Sequence, residues 1–279
     1  RGNYRSVPME ELLVEAEQLA KEGTKELIVI AQETTVYGVD LYGKKRLPEL
    51  LQALCKIDGI EWIRLLYCYP EEITKELVQT IKTEKKICHY LDLPIQHCNN
   101  DILKRMGRKT TQADLREKIS MLRKEIPDIA LRTTLISGFP GETNENHEEC
   151  VDFVANMKFE RLGVFPYSPE EGTPAAEYDR QLPDEIKQEW ADEIMQTEQN
   201  VIFAQNEEMI GRRLSVIVDG YLPEDGVYVG RTYRDAPEID GCLFFEAPYE
   251  IISGTILPVL VTDANGYDLI GEILPEEDD

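Results

Sequence analysis

Only three of the 279 residues are histidine, and the six cysteines, Cys55, Cys68, Cys88, Cys98, Cys150 and Cys242, are so dispersed that no two share one short loop. A zinc or iron–sulfur site built on one loop needs ligands roughly two to four residues apart. The sequence therefore offers no metal site of its own, and scattered thiols in an intracellular chain read as reduced and partly buried. Long apolar runs are missing too. No stretch of about 18 apolar residues could span a bilayer, and the first residues lack the basic-then-apolar order of a secretory signal. The chain reads as soluble and cytoplasmic, with no membrane partner. Positive charge is the third shortage: 30 lysines and arginines face 54 aspartates and glutamates, for a net charge of -24. Such a field repels phosphate backbones and favours basic partners, which disfavours direct nucleic-acid binding. It also serves plain solubility. No internal repeat or low-complexity tract is present.

What is there is a globular pattern, with 42% hydrophobic residues and length enough for one large domain or two smaller ones. Pro8 followed by Met9, Leu12, Leu13, Ala16, Leu19 and Ala20 predicts an amphipathic helix that stops at Gly23. The run Leu27-Ile28-Val29-Ile30-Ala31 has the continuous apolar character of a parallel strand covered on both faces. Further helical patterns at 47–56, 71–83, 111–125 and 143–157 separate strand-like runs at Ile63–Tyr67, Tyr90–Leu93, Ala130–Ile136 and Leu162–Phe165. Five strands alternating with helices predict a parallel α/β sheet, open or barrel-like. From Pro183, the spacing of Ile186, Trp190 and Ile194 predicts a long connecting helix over 183–208. Beyond it, short β runs alternate with the turn signals Asp225-Gly226, Asp240-Gly241 and Asn265-Gly266, the texture of a small β-barrel. The final residues Glu276–Asp279 are expected to fray.

Ligands of parallel α/β domains sit beyond the carboxyl ends of the strands, and four of these ends carry polar groups. The first leads into Gln32-Glu33-Thr34-Thr35, the third into Gln96-His97-Cys98, the fourth into Ser137-Gly138-Phe139-Pro140-Gly141-Glu142 and the fifth into Phe165-Pro166-Tyr167-Ser168. Singly, each is a solvated turn. Together they form a rim of carboxamide, carboxylate, hydroxyl and aromatic groups suited to a ligand with an aromatic base, a ribose and a zwitterionic tail. The pair His97 and Cys98 alone is a weak metal signal. The stretch Asp263–Asp268 has the wrong spacing for a calcium loop and predicts a hairpin turn.

Several long segments in order resemble the radical S-adenosylmethionine methylthiotransferases: Ile30–Gly38, Tyr90–Asn99 followed by Ile102–Arg108, Arg132–Thr143, and Phe165–Thr173. The likeness covers nearly the whole chain. It implies a partial parallel (β/α)6-type radical S-adenosylmethionine barrel missing its first strand, over residues 1–182, then a connecting helix at 183–208 and a small all-β TRAM barrel at 209–279. Gln96-His97-Cys98-Asn99 and Tyr233–Gly241 resemble the RimO-type branch, which acts on a ribosomal protein, more than the tRNA-modifying MiaB-type branch. Charge agrees independently: residues 206–279 hold 17 acidic and 4 basic side chains, where a tRNA-gripping barrel needs lysine and arginine. The expected partner is a basic small-subunit ribosomal protein, engaged through the acidic TRAM barrel. The alternatives are a MiaB-type tRNA methylthiotransferase and a cluster-free module that binds a ribosomal protein.

The resemblance also implies chemistry. In the family, a 4Fe-4S cluster on Cys-x3-Cys-x2-Cys cleaves S-adenosylmethionine, a second cluster serves sulfur transfer, and an aspartate β-carbon of the twelfth small-subunit ribosomal protein is methylthiolated. By the match of the family's Arg-Gly-x-x-Arg-Ser to Arg1–Ser6, this chain begins just downstream of the cysteine loop, so no catalytic or metal-binding residue is assigned to it. The cofactor-facing residues implied are Gln32 and Glu33 at the methionine amino group, where a carboxylate suits an ammonium, and Gln96 near the ribose. Ser137, Gly138, Phe165 and Tyr167 match segments around adenine, with a tight turn and aromatic core as the plainer readings. Arg132, a charge within a strand, needs a partner or a cavity; it faces either the cofactor carboxylate or a structural salt bridge. Iron and sulfide reconstitution of the 279-residue chain is expected to give no stoichiometric 4Fe-4S absorption band, and the appearance of one would overturn this expectation.

Overall fold

The computed structural model of the chain describes residues 2–274; Arg1 and the acidic end Glu276–Asp279, two places where the sequence carries an expectation, lie outside the described residues. The chain divides into two compact units between Glu198 and Gln199. The first follows the alternation of its sequence: α1 (Met9–Lys21), β1 (Glu26–Val29), α2 (Val39–Tyr42), α3 (Leu47–Leu54), β2 (Trp62–Leu65), α4 (Lys75–Thr83), β3 (Ile87–Asp92), α5 (Asn100–Arg105), α6 (Gln112–Glu125), β4 (Ala130–Ser137), α7 (Asn144–Met157), β5 (Arg161–Pro166) and α8 (Asp184–Glu207). The five strands pair in parallel in the order β1-β2-β3-β4-β5. Side-chain oxygens of Thr74, Asn99, Thr111 and Thr143 accept the free N–H groups that open α4, α5, α6 and α7. At α6 and α7 the partner residues Asp114 and Asn146 close reciprocal capping boxes.

The sheet has two unlike faces, because successive side chains of a strand alternate sides. Leu27, Val29, Ile63, Leu65, Ile87, Leu91, Leu131, Leu135, Leu162 and Val164 point one way and form one apolar core with the helices. The other face carries Glu26 and Arg64, joined at 2.8 Å, and Asp92 and Arg132, joined at 2.9 Å. Arg161 sits in register beside Arg132 on that same face. Arg64 is fully buried, with its guanidinium 4.7 Å from the Tyr90 ring centre, and burial of such a group is tolerable only with a compensating carboxylate.

Two expectations need correction. The run at β1 is not covered on both faces: Ile28 and Ile30 are exposed, and the strand lies at the sheet edge with β2 as its one neighbour among the described residues. Its apolar character serves instead a groove of about 390 Å³ lined by Ser6, Leu12, Ala16, Leu27 and Ile30. The helical pattern at 71–83 begins at Lys75, after a 3-10 turn at Pro70–Glu72, because Thr74 supplies the cap. The short helices α2 and α5, of 4 and 6 residues, span too few turns to show a period in the sequence.

The second unit is a closed barrel of β6 (Arg213–Leu222), β7 (Val227–Arg231), β8 (Leu243–Glu246), β9 (Ile256–Asn265) and β10 (Asp268–Ile273), in the order β10-β8-β7-β6-β9. Val216, Val218, Leu243, Phe245, Val259, Val261 and Leu269 fill it. Asn265 and Asp268 pair across a two-residue turn containing Gly266 at φ +65°, so the Asp263–Asp268 stretch is the hairpin its spacing predicts. Closure brings strands so near that two positions exclude any side chain. A Cβ on Gly230 would lie 2.6 Å from the Ile217 carbonyl oxygen, and one on Gly271 would lie 2.7 Å from that of Leu260. These contacts are with backbone and cannot yield by rotamer change. Gly230→Ala is expected to destabilise the barrel by about 1–3 kcal/mol, measured as a lower urea midpoint; an unchanged midpoint would refute the close approach.

Candidate functional site

The rim at the carboxyl ends of β1–β5 is tied together strand by strand. After β1, the Thr34 amide donates to the Tyr67 carbonyl at 2.9 Å and its hydroxyl to that of Leu66 at 2.7 Å. After β2, the Tyr67 amide donates to Asp92 Oδ2 at 3.0 Å. Asp92 Oδ1 in turn accepts from Arg132 at 2.9 Å. Beyond β3, the Gln96 amide donates to the Thr134 carbonyl at 2.9 Å, and the Ile136 amide to that of Gln96 at 2.8 Å. The Tyr167 amide closes the series on the Ser137 carbonyl at 2.8 Å. Two non-glycine residues with left-handed backbone, Tyr67 at φ +55° and Gln96 at φ +69°, stand on this rim. Strain of about 1 kcal/mol or more at each survives only where the surroundings over-determine it, a condition common at functional sites.

Glu33 is the most unusual group here. It is 9% exposed, and its Oε1 accepts from both the amide and the hydroxyl of Thr35, while its Oε2 is buried without a hydrogen-bond partner. Burial raises its carboxyl above the usual range, and hydrogen bonding from Thr35 and from the Tyr69 backbone offsets part of that. The neighbouring Cys68 thiol is pushed well up by full burial, then by the charges of Glu33 and Asp92, so it stays protonated and is no nucleophile.

The remaining rim residues anticipated from the sequence fall into three kinds. Gln96, Phe165 and Gln32 keep accessible side chains, with Phe165 58% exposed. Arg132 is compensated inside the sheet by Asp92, so the salt bridge is the role the geometry gives it. Ser137 and Gly138 serve packing: the Ser137 hydroxyl donates to the Lys187 carbonyl at 2.9 Å, and a Cβ on Gly138, at φ +72°, would lie 2.3 Å from Lys187 Cγ. Tyr167 stands between these kinds, with its ring edge-on to Phe139 at 5.1 Å and its hydroxyl buried without a partner.

Sequence reasoning missed Asp92 and Tyr67, and it placed Glu142 on the rim without its contact to His97. Asp92 had a usable signal, since a carboxylate inside an apolar strand raises the same question as Arg132. Glu142 and the fully buried His97 meet at 3.2 Å across 45 residues, a contact no local pattern encodes. The ligand atoms of His97, Cys98 and Cys150 come within 4.8 Å of one another. Both thiols lie in the apolar core, and the Cys150 thiol is raised well above its ordinary value by its hydrogen bond with Cys98 and by burial.

Comparison with known proteins bears on both units. The family model described as the radical SAM superfamily matches residues 1–154, and that of the TRAM domain matches residues 210–274. The chain is 60% identical over 271 residues to the ribosomal protein uS12 methylthiotransferase RimO of Lachnoclostridium phytofermentans, covering 97% of this chain and 62% of that one. Against the protein of the same description from Clostridium botulinum strain Hall, identity is 52% over 276 residues, covering 99% and 62%. The chain thus spans about 62% of the length of these curated relatives. Among solved structures, methylornithine synthase shares the fold, with a TM-score of 0.50 at 14% identity over 71% of this chain and 56% of that one. With its parallel sheet, polar rim and closed barrel so matched, the chain belongs to the radical SAM superfamily and carries a TRAM domain.

Proposed function

We propose that this chain is the cofactor-rim and barrel portion of a RimO-type enzyme, which methylthiolates an aspartate of the twelfth small-subunit ribosomal protein by radical S-adenosylmethionine chemistry. Residues 1–182 form its catalytic core in this reading, 183–208 the connecting helix and 209–279 the barrel. The observation that carries it is Glu33: a buried carboxylate with one unpartnered oxygen, at the end of a parallel sheet where such domains bind ligands. An isolated buried anion is costly, and the ammonium of an amino-acid moiety would relieve that cost.

The residues fit S-adenosylmethionine. Glu33 would receive the ammonium, with exposed Gln32 beside it on the solvent side. The Gln96 carboxamide can hydrogen-bond the ribose hydroxyls, and Phe165 and Tyr167 offer aromatic surface to the adenine. Ser137 and Gly138 support this surface by fixing the turn beneath it. Asp92 pairs with Arg132 at 2.9 Å, which offsets one cation on the face that a sulfonium would meet. When bound and given one electron by an iron–sulfur cluster held outside the described residues, S-adenosylmethionine would release methionine and supply a carbon radical able to remove a hydrogen atom from a substrate carbon. The described residues do not fit an open iron–sulfur cluster, because their one close grouping of imidazole and thiols, His97, Cys98 and Cys150, is buried under the helices. No step is assigned to a cluster on these residues.

The sign of the Glu33 effect is fixed by its raised carboxyl. The folded chain keeps that proton to higher pH than the unfolded chain, so stability falls as pH rises from the ordinary carboxylate value through the raised one. Glu33→Gln should flatten this fall and raise the unfolding temperature at neutral pH. The same substitution should weaken binding of S-adenosylhomocysteine, measured by calorimetry, by about tenfold. Binding by the unsubstituted chain should strengthen as pH rises through that window, since only the ionised carboxylate attracts the ammonium. A Glu33→Gln chain that binds as tightly as the original would remove Glu33 from the site.

For the barrel, charge supports the ribosomal protein over tRNA. Between residues 206 and 279 the cationic side chains are Arg212, Arg213, Arg231 and Arg234, and Arg231 is spent on Asp219 at 2.9 Å. In a pull-down, the chain should retain the basic ribosomal protein, less so as salt rises, and leave tRNA unbound. Preference for tRNA would favour the MiaB-type reading.

A further inference from the structure

His97 is 1% exposed, and its contacts determine where its proton sits. Nδ1 accepts the Asn99 amide at 2.9 Å. A ring nitrogen facing an N–H donor carries the lone pair, so the proton is on Nε2 and is donated to Glu142 Oε1 at 3.2 Å. The second Glu142 oxygen accepts the Phe139 amide at 2.9 Å. The imidazole therefore staples the loop after β3 to the loop after β4. Both of its nitrogens are used in this way, which leaves none for a metal shared with Cys98 and Cys150.

The staple follows directly on Gln96, the one residue between Leu91 and Cys98 whose side chain is not buried. Gln96 holds φ at +69°, a conformation that L-residues other than glycine enter at a cost of about 1–2 kcal/mol. Its amide and carbonyl are held by Thr134 and Ile136 of β4. The next residue must then keep the chain from relaxing out of that turn, and a buried ring fixed at both nitrogens does so.

We propose that His97 is a positioning residue: through Glu142 it holds the left-handed turn at Gln96 and so presents the Gln96 carboxamide to the adenosyl ligand of the rim. The inference rests on the reading of that rim as the S-adenosylmethionine site.

Two substitutions divide the ring. His97→Gln can place an amide nitrogen near the position of Nε2 and keep the donation to Glu142. His97→Asn can place an oxygen near Nδ1 and keep the Asn99 contact, but it cannot reach Glu142. Two readouts apply to the whole chain: amide hydrogen exchange at Gln96 and Ile136, and calorimetric binding of S-adenosylhomocysteine. His97→Asn is expected to speed exchange of both amides and weaken binding by about tenfold, and His97→Gln to restore both. The double variant Gln96→Ala with His97→Asn is expected to bind no more weakly than Gln96→Ala alone, because residues acting through one group are not additive. Unchanged exchange in His97→Asn, or fully additive losses in the double variant, overturns the inference. A different result sinks the reading of the rim: failure of the unsubstituted chain to bind, or Gln96→Ala binding as tightly as the original. The exchange measurement still decides the staple in that case.

Discussion

Charges placed on one face of a parallel sheet constrain most of the first unit. Glu26 with Arg64 and Asp92 with Arg132 stand on the face opposite the helices, where burying either charge without its partner would be costly. Pairing across adjacent strands fixes strand register, because Arg132 must lie level with Asp92. It also leaves that face polar where the helix-covered face is mostly apolar. The apolar face is filled by helices, while the other face and its rim keep groups that can meet a polar ligand. Asp92 links the two, since one of its oxygens holds Arg132 and the other the strained Tyr67.

The elements legible in the sequence were those whose periodicity outlasts about two turns or one full strand. The helices α1, α6, α7 and α8 and all ten strands lie where apolar spacing places them, because burial of one stripe or one face is what creates that spacing. The edge position of β1 was implied by the family resemblance, with its missing first strand, and was illegible in the strand's own residues. Its apolar residues fit equally a buried central strand and an edge strand beside an apolar groove, and only the presence of neighbours separates the two. The helices α2 and α5 stayed hidden because local caps and turns define them. The glycines that allow barrel closure, Gly230 and Gly271, read as ordinary strand breaks until the approach of Ile217 and Leu260 is seen.

The rim was legible as a location more than as a set of roles. Polar residues after strands mark where ligands bind in this architecture, and Glu33, Gln96 and Phe165 do stand there with accessible or unsatisfied groups. Ser137 and Gly138 stand there too, yet α8 claims them through Lys187. One sequence signature, a small polar residue followed by glycine, covers both outcomes. The distinction lies in whether another backbone satisfies the hydroxyl, which depends on a helix 50 residues away. His97 and Glu142 show the reverse case, where two unremarkable residues become the joint between loops once folding brings them together.

In the barrel, the segment Tyr233–Gly241 is largely occupied with itself. The Thr232 hydroxyl donates to Asp235 Oδ2 at 2.7 Å and accepts the Arg234 amide at 3.1 Å, and Asp240 accepts the Ala236 amide at 2.8 Å. Arg231 grips both oxygens of Asp219 and reaches the Asp235 carbonyl. Asp235 and Arg234 are buried, so their hydrogen bonds shape a loop and are not offered to a partner. The network pairs one arginine that could otherwise meet phosphate, while Arg212 and Arg213 stay exposed; the carboxylates Asp225, Glu246 and Glu272 line one groove with Phe244 and Ile270. Under the proposed function, the excess of carboxylates over arginines on this unit would favour a basic partner over a polyanion.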